Sequence, residues 1–415
     1  MRDLALGMVL FPLCLAALRR PWIGVLAWTW LSLMSPHAYT WRLNSLPVAA
    51  AVAICTLIGL LFTKDRDFYL TPEICALIAF MSWMCVTLPF SFNVEGRWPM
   101  WKRVMKIDFM VLVSLTVLIT RQQLMAFIWV VVGSIAYYGV KGGVFTLATG
   151  GNYLVWGPPT TFIEGNNELA LALIVIVPLM YFLMSQISSK WGKLAMAFAM
   201  LMCVAASLGS HSRGALLALG AMVLAFWWYT NRRVWILLII LAVGLGAASF
   251  LPEEWFSRMN TIAEYEQDAS AMGRINAWWM AWNLARDNFF GGGFEIYNAL
   301  SFGLYAPNPL DIHAAHSIYF QVLGEHGFVG LALFLLLWFL VWWRASRLRR
   351  DFRHSPDLRW ISDLGAMCQV SLIGYATGGA FLSLAYYDLP YNILIMVVLA
   401  QHLFPRKART APSRA

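Results

Sequence analysis

The chain has 415 residues, 60% of them hydrophobic and only 12% charged, with a formal net charge of +9. Soluble domains run at roughly half apolar and a quarter charged, so this composition excludes a string of soluble domains and indicates a polytopic membrane protein. The basic excess, 30 Lys and Arg against 21 Asp and Glu, is too small to argue for a nucleic-acid partner, and its placement matters more than its size.

A helix needs about 20 mostly apolar residues to cross the hydrocarbon core, fewer where flanking side chains snorkel. The apolar runs are 4–18, 22–34, 47–63, 73–90, 104–120, 124–139, 168–185, 194–209, 214–230, 234–251, 327–343, 363–384 and 389–404. The first two are short and interrupted by Arg19, Arg20 and Pro21. They read as two tight spans or one broken span, so twelve or thirteen helices are expected, with twelve preferred. The first run follows only Arg2 and leads straight into the second, which argues against a cleavable signal peptide. The six cysteines lie in or beside apolar runs and form no C-x-x-C pair, so they read as small buried hydrophobes rather than as zinc ligands or a disulfide framework.

Charge assigns the two sides. Counting back from the C-terminal tail (Arg406, Lys407, Arg409, Arg414), alternate connections carry Arg344 to Arg359, Arg232 and Arg233, Lys190 and Lys193, Arg121, Lys64 and Arg66, and Arg19 and Arg20. The intervening connections are poorer in cations and hold acids such as Glu253, Glu254, Glu264, Glu266 and Asp268. By the positive-inside rule the 344–362 loop and the C-terminus face the cytoplasm. Two connections are too long for simple turns, 140–167 and 252–326, and both fall on the outer side. The chain therefore divides into an N-terminal membrane bundle (1–251), a large outer loop (252–326) and C-terminal helices with a basic tail (327–415). Within the loop, 270–288 reads as an amphipathic helix, because Arg274, Trp278 and Trp282 recur every four residues and share a face.

Functional chemistry concentrates in long ordered loops on a rigid scaffold. Five of the seven histidines, His37, His211, His313, His316 and His326, fall on the outer side or at outer helix ends. His313 and His316 would be one turn apart in a helix. The pair suits a general base or hydrogen-bonding role better than a metal half-site, since H-E-x-x-H is absent and Glu325 is not placed to complete one. Arginine at a membrane edge usually has a partner. Arg213, in Ser210-His-Ser-Arg-Gly214, and Arg274 on the loop helix are candidate anion clamps, because guanidinium offers a planar fork for phosphate oxygens. Lys141, beside two glycines, is a third candidate contact. The bland readings are snorkelling for Arg213 and a solvated charge for Arg274. For Trp278, Trp279 and Trp282 they are an interfacial belt, set against sugar stacking. Gly291-Gly-Gly293 reads as a helix terminator, not a phosphate loop. Together these residues suit an anionic lipid-linked substrate attacked by a neutral hydroxyl, with a histidine taking the proton and arginines holding the departing phosphate charge, without a metal.

His316-Ser317, nine residues, then Gly327-Phe-Val-Gly330 resembles the H-[NSQ]-x9-G-x-x-G signature of bacterial O-antigen ligases at every fixed position. Ser212-Arg213-Gly214 resembles the arginine motif of the ligase and polymerase superfamily. Gly273-Arg274 with Trp278, Ala281 and Gly291-Gly-Gly293 resembles its large periplasmic loop, although the family often has proline before glycine at the last of these. Asn166-Asn167-Glu168 resembles another recurrent feature, and the whole is similar to the O-glycosylation ligases that accompany exosortase systems. The resemblance implies an all-α, polytopic glycosyltransferase of the GT-C type in the bacterial inner membrane, with its active site facing the periplasm. It implies an undecaprenyl-pyrophosphate-linked glycan as donor, lipid A–core oligosaccharide as acceptor, inversion at the anomeric carbon and no metal or other cofactor. His316 would be the catalytic base, and Arg213 and Arg274 the pyrophosphate-binding and leaving-group-stabilising residues. His313, Tyr319, Trp278 and Lys141 would support the substrates, Tyr319 by orienting His316 or by packing. An O-antigen polymerase or a protein O-oligosaccharyltransferase would share the donor. A lipid or polysaccharide transporter is the rival of another class, disfavoured because internal repeats are not evident and the polar residues gather on one face.

Overall fold

The computed structural model describes residues 1–229, 244, 246, 251–260 and 269–404. The expected span 234–251, except for 244, 246 and 251, lies outside these residues, as do Arg232, Arg233, Glu264, Glu266, Asp268 and the basic tail from 405 onward. The described residues are helical with no strand.

Helices cover the other twelve apolar stretches. They are α1 (Arg2–Arg19), α2 (Pro21–Met34), α3 (Val48–Phe62), α4 (Pro72–Thr87), α5 (Arg97–Val117), α6 (Arg121–Ala148), α7 (Asn166–Gln186), α8 (Lys190–Gly209) and α9 (Arg213–Tyr229). The outer connection adds α10 (Glu253–Asn260), α11 (Ala269–Asp287) and α12 (Ala299–Tyr305). The chain then continues into α13 (Ile318–Phe352), α14 (Arg359–Gly379) and α15 (Asp388–Leu403). Among the described residues, five helices (α4 extended to Phe90, α6, α7, α8 and α13) are long and apolar enough to cross a membrane, and α2, α3, α9 and α15 are shorter apolar helices. The chain is a multi-pass membrane protein.

Local chemistry sets the helix starts. Pro21 and Pro72 occupy first helical positions, where a missing N–H costs nothing. Thr120 and Gln123 form a reciprocal capping box at the head of α6. α1 and α2 pack against each other and against α3, so Arg19, Arg20 and Pro21 separate two helices rather than breaking one. α15 is the bundle's axis: every residue from Asp388 to Ala400 is buried, against α2, α5, α6, α13 and α14. α6, α7, α8, α9 and α14 close around one flank.

Two boundaries differ from the sequence reading. The first outer connection begins at Thr149, not 140, because Gly142 and Gly143 are helical and press α6 onto α8. A Cβ on Gly143 would overlap the Met202 backbone, so these glycines permit close helix packing rather than a flexible loop. α13 begins at Ile318, yet it is broken at Gly327 (φ 67°, ψ −172°), which marks the expected edge between outer loop and membrane span.

The break explains the glycines of the His316–Gly330 stretch. Gly327 takes a positive φ and lies against the Phe289 carbonyl, where no Cβ fits. Gly291-Gly-Gly293 both ends the run after α11 and docks on the break. Gly291 N donates to Asn288 O, Gly292 N to Gly324 O at 2.9 Å and Gly293 N to Glu325 O at 2.8 Å. Glu325 accepts from Glu295 N at 3.1 Å and from the Tyr386 hydroxyl, and Trp83 Nε1 donates to His326 O at 2.8 Å. Gly327→Ala is expected to cost roughly 1–3 kcal/mol, the range for a residue held in an unfavourable backbone region. A lowered apparent melting temperature of the purified protein checks this; an unchanged value would mean the break is not held by Gly327.

Candidate active site

The connections rich in cations, with Arg121, Lys190, Lys193 and the Arg344–Arg359 stretch, lie at one end of the bundle. A polar pocket lies at the other end. It is lined by Asn167, Ser212, Arg213, Gly214, Arg274, Phe381 and Leu382.

The Gly209–Gly214 hexapeptide folds so that Arg213 opens α9. α8 ends at Gly209, and Ser210 Oγ donates back to Ala206 O at 2.8 Å. His211 turns the chain with φ 52° and pairs its Nε2 with Gly151 O at 2.9 Å. Ser212 Oγ then accepts from Ala215 N, capping α9. Asn166 Nδ2 donates to Ser210 O at 2.8 Å, which brings the start of α7, and with it Asn167, beside the start of α9. Two helix N-termini therefore adjoin one pocket. Each presents backbone N–H groups and a partial positive charge, the field that favours an anion.

Arg274 arrives from α11, whose buried face holds the strand of loop before α13. Asn276 Nδ2 donates to Asn308 O and Asp311 O, and its Oδ1 accepts from Asn308 N. Trp278 Nε1 donates to Ala315 O at 2.7 Å, and its ring stacks on Phe320. Gly273 lies so close to the His313 ring that no Cβ fits. Glu168, in the first turn of α7, is a carboxylate within electrostatic reach of Arg274.

His316 sits on that same loop with φ 42°, a left-handed conformation uncommon for a residue with a side chain. Its backbone N–H donates to Ser383 Oγ at 2.9 Å, and its neighbours Ala315 and Ser317 are buried. The irregular segment between α14 and α15 thus holds His316 from one side while Phe381 and Leu382 line the pocket. His316 Nδ1 is buried and has no hydrogen-bond partner among the described residues. Burial, then the positive fields of Arg274 and His313, push its pKa down to about 4. The imidazole is therefore neutral at physiological pH, with an acceptor nitrogen.

Of the residues singled out in the sequence, Arg213, Arg274 and His316 are brought together, with His313 and Trp278 on the supporting loop and helix. His313 and His316 are not one helical turn apart: residues 311–316 are non-helical, and His313 Nε2 meets Asp311 Oδ1 at 2.9 Å. Tyr319 does not orient His316; its hydroxyl donates to Ala376 O at 2.9 Å and ties α13 to α14. Trp278 is engaged with Ala315 and Phe320. Lys141 is exposed on α6 and is not part of the pocket lining. Ser383, Phe381 and Leu382 were missed because hydropathy merged them into the span 363–384, and Asp311 because no motif marks it. Among the described residues no three His, Cys, Asp or Glu side chains group as a metal site.

Residues 197–335 match the family model described as O-Antigen ligase. Over this stretch the chain is similar to the O-antigen ligase family. The match supports a function of the ligase or polymerase type, that of a glycosyltransferase-like enzyme. The ligase stretch contains Arg213, Arg274, His313, His316, Gly327 and Gly330. Residues 1–188 match a family of unknown function, DUF5935, which contributes Asn167 to the pocket. Phe381, Leu382 and Ser383 lie beyond both matches, so the ligase stretch alone does not complete the site. No curated protein matches the chain.

Proposed function

We propose that the protein is an O-antigen ligase of the GT-C type. It would transfer a glycan from undecaprenyl pyrophosphate to a hydroxyl of lipid A–core oligosaccharide on the periplasmic face of the bacterial inner membrane. The observation that carries this reading is the convergence of Arg213 and Arg274 on one pocket at the starts of α7 and α9, with neutral His316 beside it. The acceptor oxygen attacks the anomeric carbon from the face opposite the pyrophosphate, and the bond from that carbon to the phosphate oxygen breaks. The hydroxyl proton passes to His316, and the pair of arginines with the two helix N-termini holds the charge of the departing undecaprenyl pyrophosphate. The family resemblance supports the acceptor, and the position of the pocket opposite the basic connections supports the periplasmic side.

A pKa near 4 makes the free imidazole a weak base. Donor binding offsets part of this, because pyrophosphate charge beside Arg274 counters that arginine's field on His316, while burial, the larger cause, remains. The sign of the pH dependence follows. The base must be unprotonated, so activity is lost as pH falls through its pKa. In the free enzyme kcat/KM is expected to hold as pH drops past about 6.5, where an ordinary histidine would be half protonated, and to fall only towards about 4. The acid limb of kcat should lie at higher pH than that of kcat/KM. A kcat/KM limb near the ordinary histidine value would contradict this environment for His316.

EDTA is expected to leave transfer unchanged, since arginines rather than a divalent ion neutralise the leaving group. Inhibition reversed by added Mg²⁺ or Mn²⁺ would overturn that. Purified protein given donor together with either lipid A–core or candidate proteins separates the acceptors. Transfer to lipid A–core supports ligation, and transfer to protein alone makes the enzyme a protein O-oligosaccharyltransferase.

A further inference from the structure

A second cavity, of about 320 Å³, lies at the basic end of the bundle. Trp228 and Tyr229 at the end of α9, Arg349 and Arg353 around the end of α13, and Arg359 and Asp363 at the start of α14 line it. α9 rises about 25 Å between Arg213 and Tyr229 at 1.5 Å per residue, so this cavity is separate from the ligase pocket. Its size falls within the usual range of ligand sites.

The sequence builds this cavity locally. Arg349 and Arg353 are one helical turn apart and share a face, as do Arg359 and Asp363. Gly365 lets α14 approach Ala345 and Leu348 of α13 closely, and Ser362 Oγ donates to Arg349 O at 2.8 Å. The Arg349 guanidinium lies over the Tyr229 ring at 4.3 Å, which fixes it at the cavity wall. Among the described residues, no ion pair within 4.0 Å joins Arg349, Arg353 or Arg359 to a carboxylate. Among the described lining residues, three guanidinium groups and one carboxylate leave two positive charges in excess. Trp228, 72% exposed beside the cavity, is the kind of residue that sits at headgroup level.

We propose that this cavity binds the phosphate-bearing headgroup of an anionic phospholipid, most tightly one carrying two phosphates, whose charge matches the excess on the lining. Guanidinium forks suit phosphate oxygens, and basic pockets between membrane helices on the cytoplasmic side recognise such headgroups. Trp228 places the acyl chains on the lipid-facing flank, which distinguishes a lipid from a soluble phosphate.

Native mass spectrometry of the full-length protein in neutral detergent tests this, with cardiolipin, phosphatidylglycerol, phosphatidylcholine or inorganic pyrophosphate titrated in. Cardiolipin is expected to bind tightest, then phosphatidylglycerol, with phosphatidylcholine at least tenfold weaker than cardiolipin. Arg353→Gln with Arg359→Gln should weaken cardiolipin at least tenfold and leave phosphatidylcholine adducts unchanged. Asp363→Asn should tighten cardiolipin several-fold, a gain that misfolding cannot imitate. Arg213→Ala, at the other end, should retain the cardiolipin adduct, which separates this site from the donor pocket. Equal retention of cardiolipin and phosphatidylcholine, or unchanged cardiolipin binding in both the arginine pair and Asp363→Asn, would overturn the proposal. Pyrophosphate binding that excludes cardiolipin would assign the cavity to a soluble phosphate and overturn the lipid assignment.

Discussion

His316→Ala is expected to reduce glycan transfer by about 10²- to 10⁴-fold, the contribution typical of a positioned general base, while the protein stays folded and inserted. The expectation rests on a neutral imidazole with a buried, unpartnered Nδ1, held on a loop that α11 and the segment before α15 fix from two sides. Alanine alone is an ambiguous test, because residue 316 has φ 42° and alanine tolerates that region poorly. Asparagine adopts left-handed backbone more readily and keeps polarity without supplying a base. His316→Asn should therefore preserve the elution profile and melting temperature yet be as inactive as His316→Ala. Single-turnover formation of glycosylated acceptor is the readout. Activity in His316→Asn near wild type would remove the histidine from the proton transfer and leave it a structural residue.

Arg213→Ala and Arg274→Ala are each expected to lower kcat/KM for the lipid-linked donor by about 10²- to 10³-fold, the scale for removing one donor that meets developing charge. Because the two side chains line the same pocket, their effects should not add: the double variant should fall short of the product of the single losses. Lysine at either position keeps the charge and loses the fork, so intermediate activity is expected. Acceptor saturation should change little. If donor KM and turnover are unaffected in Arg213→Ala, that arginine only reaches lipid headgroups, and the pocket needs another anion-binding residue.

Much of this architecture was readable in the sequence because the bilayer imposes one dominant signal. Apolar runs located twelve described helices, and the four-residue recurrence of Arg274, Trp278 and Trp282 located α11 almost to the residue. The His316–Gly330 spacing was legible as a motif, but its physical content was not. Gly327 is needed because a positive φ coincides with contact against the Phe289 carbonyl, and no local pattern reveals that partner. Hydropathy failed where an apolar sequence is not a helix. Residues 380–387 are irregular and largely buried inside protein, and they hold His316 through Ser383. Irregular backbone at membrane depth is tolerated when protein surrounds it, so its apolar composition resembles that of a span. Lys141 failed for the converse reason: Gly142 and Gly143 suggested a loop, whereas they are the contact surface of α6 with α8. Charge counting read Arg349, Arg353 and Arg359 only as markers of side, since their convergence on one cavity depends on how α9, α13 and α14 meet.

The most direct measurement follows both products of the proposed bond exchange in one reaction. Purified protein in liposomes is given undecaprenyl-pyrophosphate-linked glycan and lipid A–core, and glycosylated acceptor and freed undecaprenyl pyrophosphate are quantified over time. Equal amounts of the two products, both lost in His316→Asn, are expected. Movement of intact donor across the bilayer with no free undecaprenyl pyrophosphate and no new glycosidic bond would contradict a glycosyltransferase and point to a transporter.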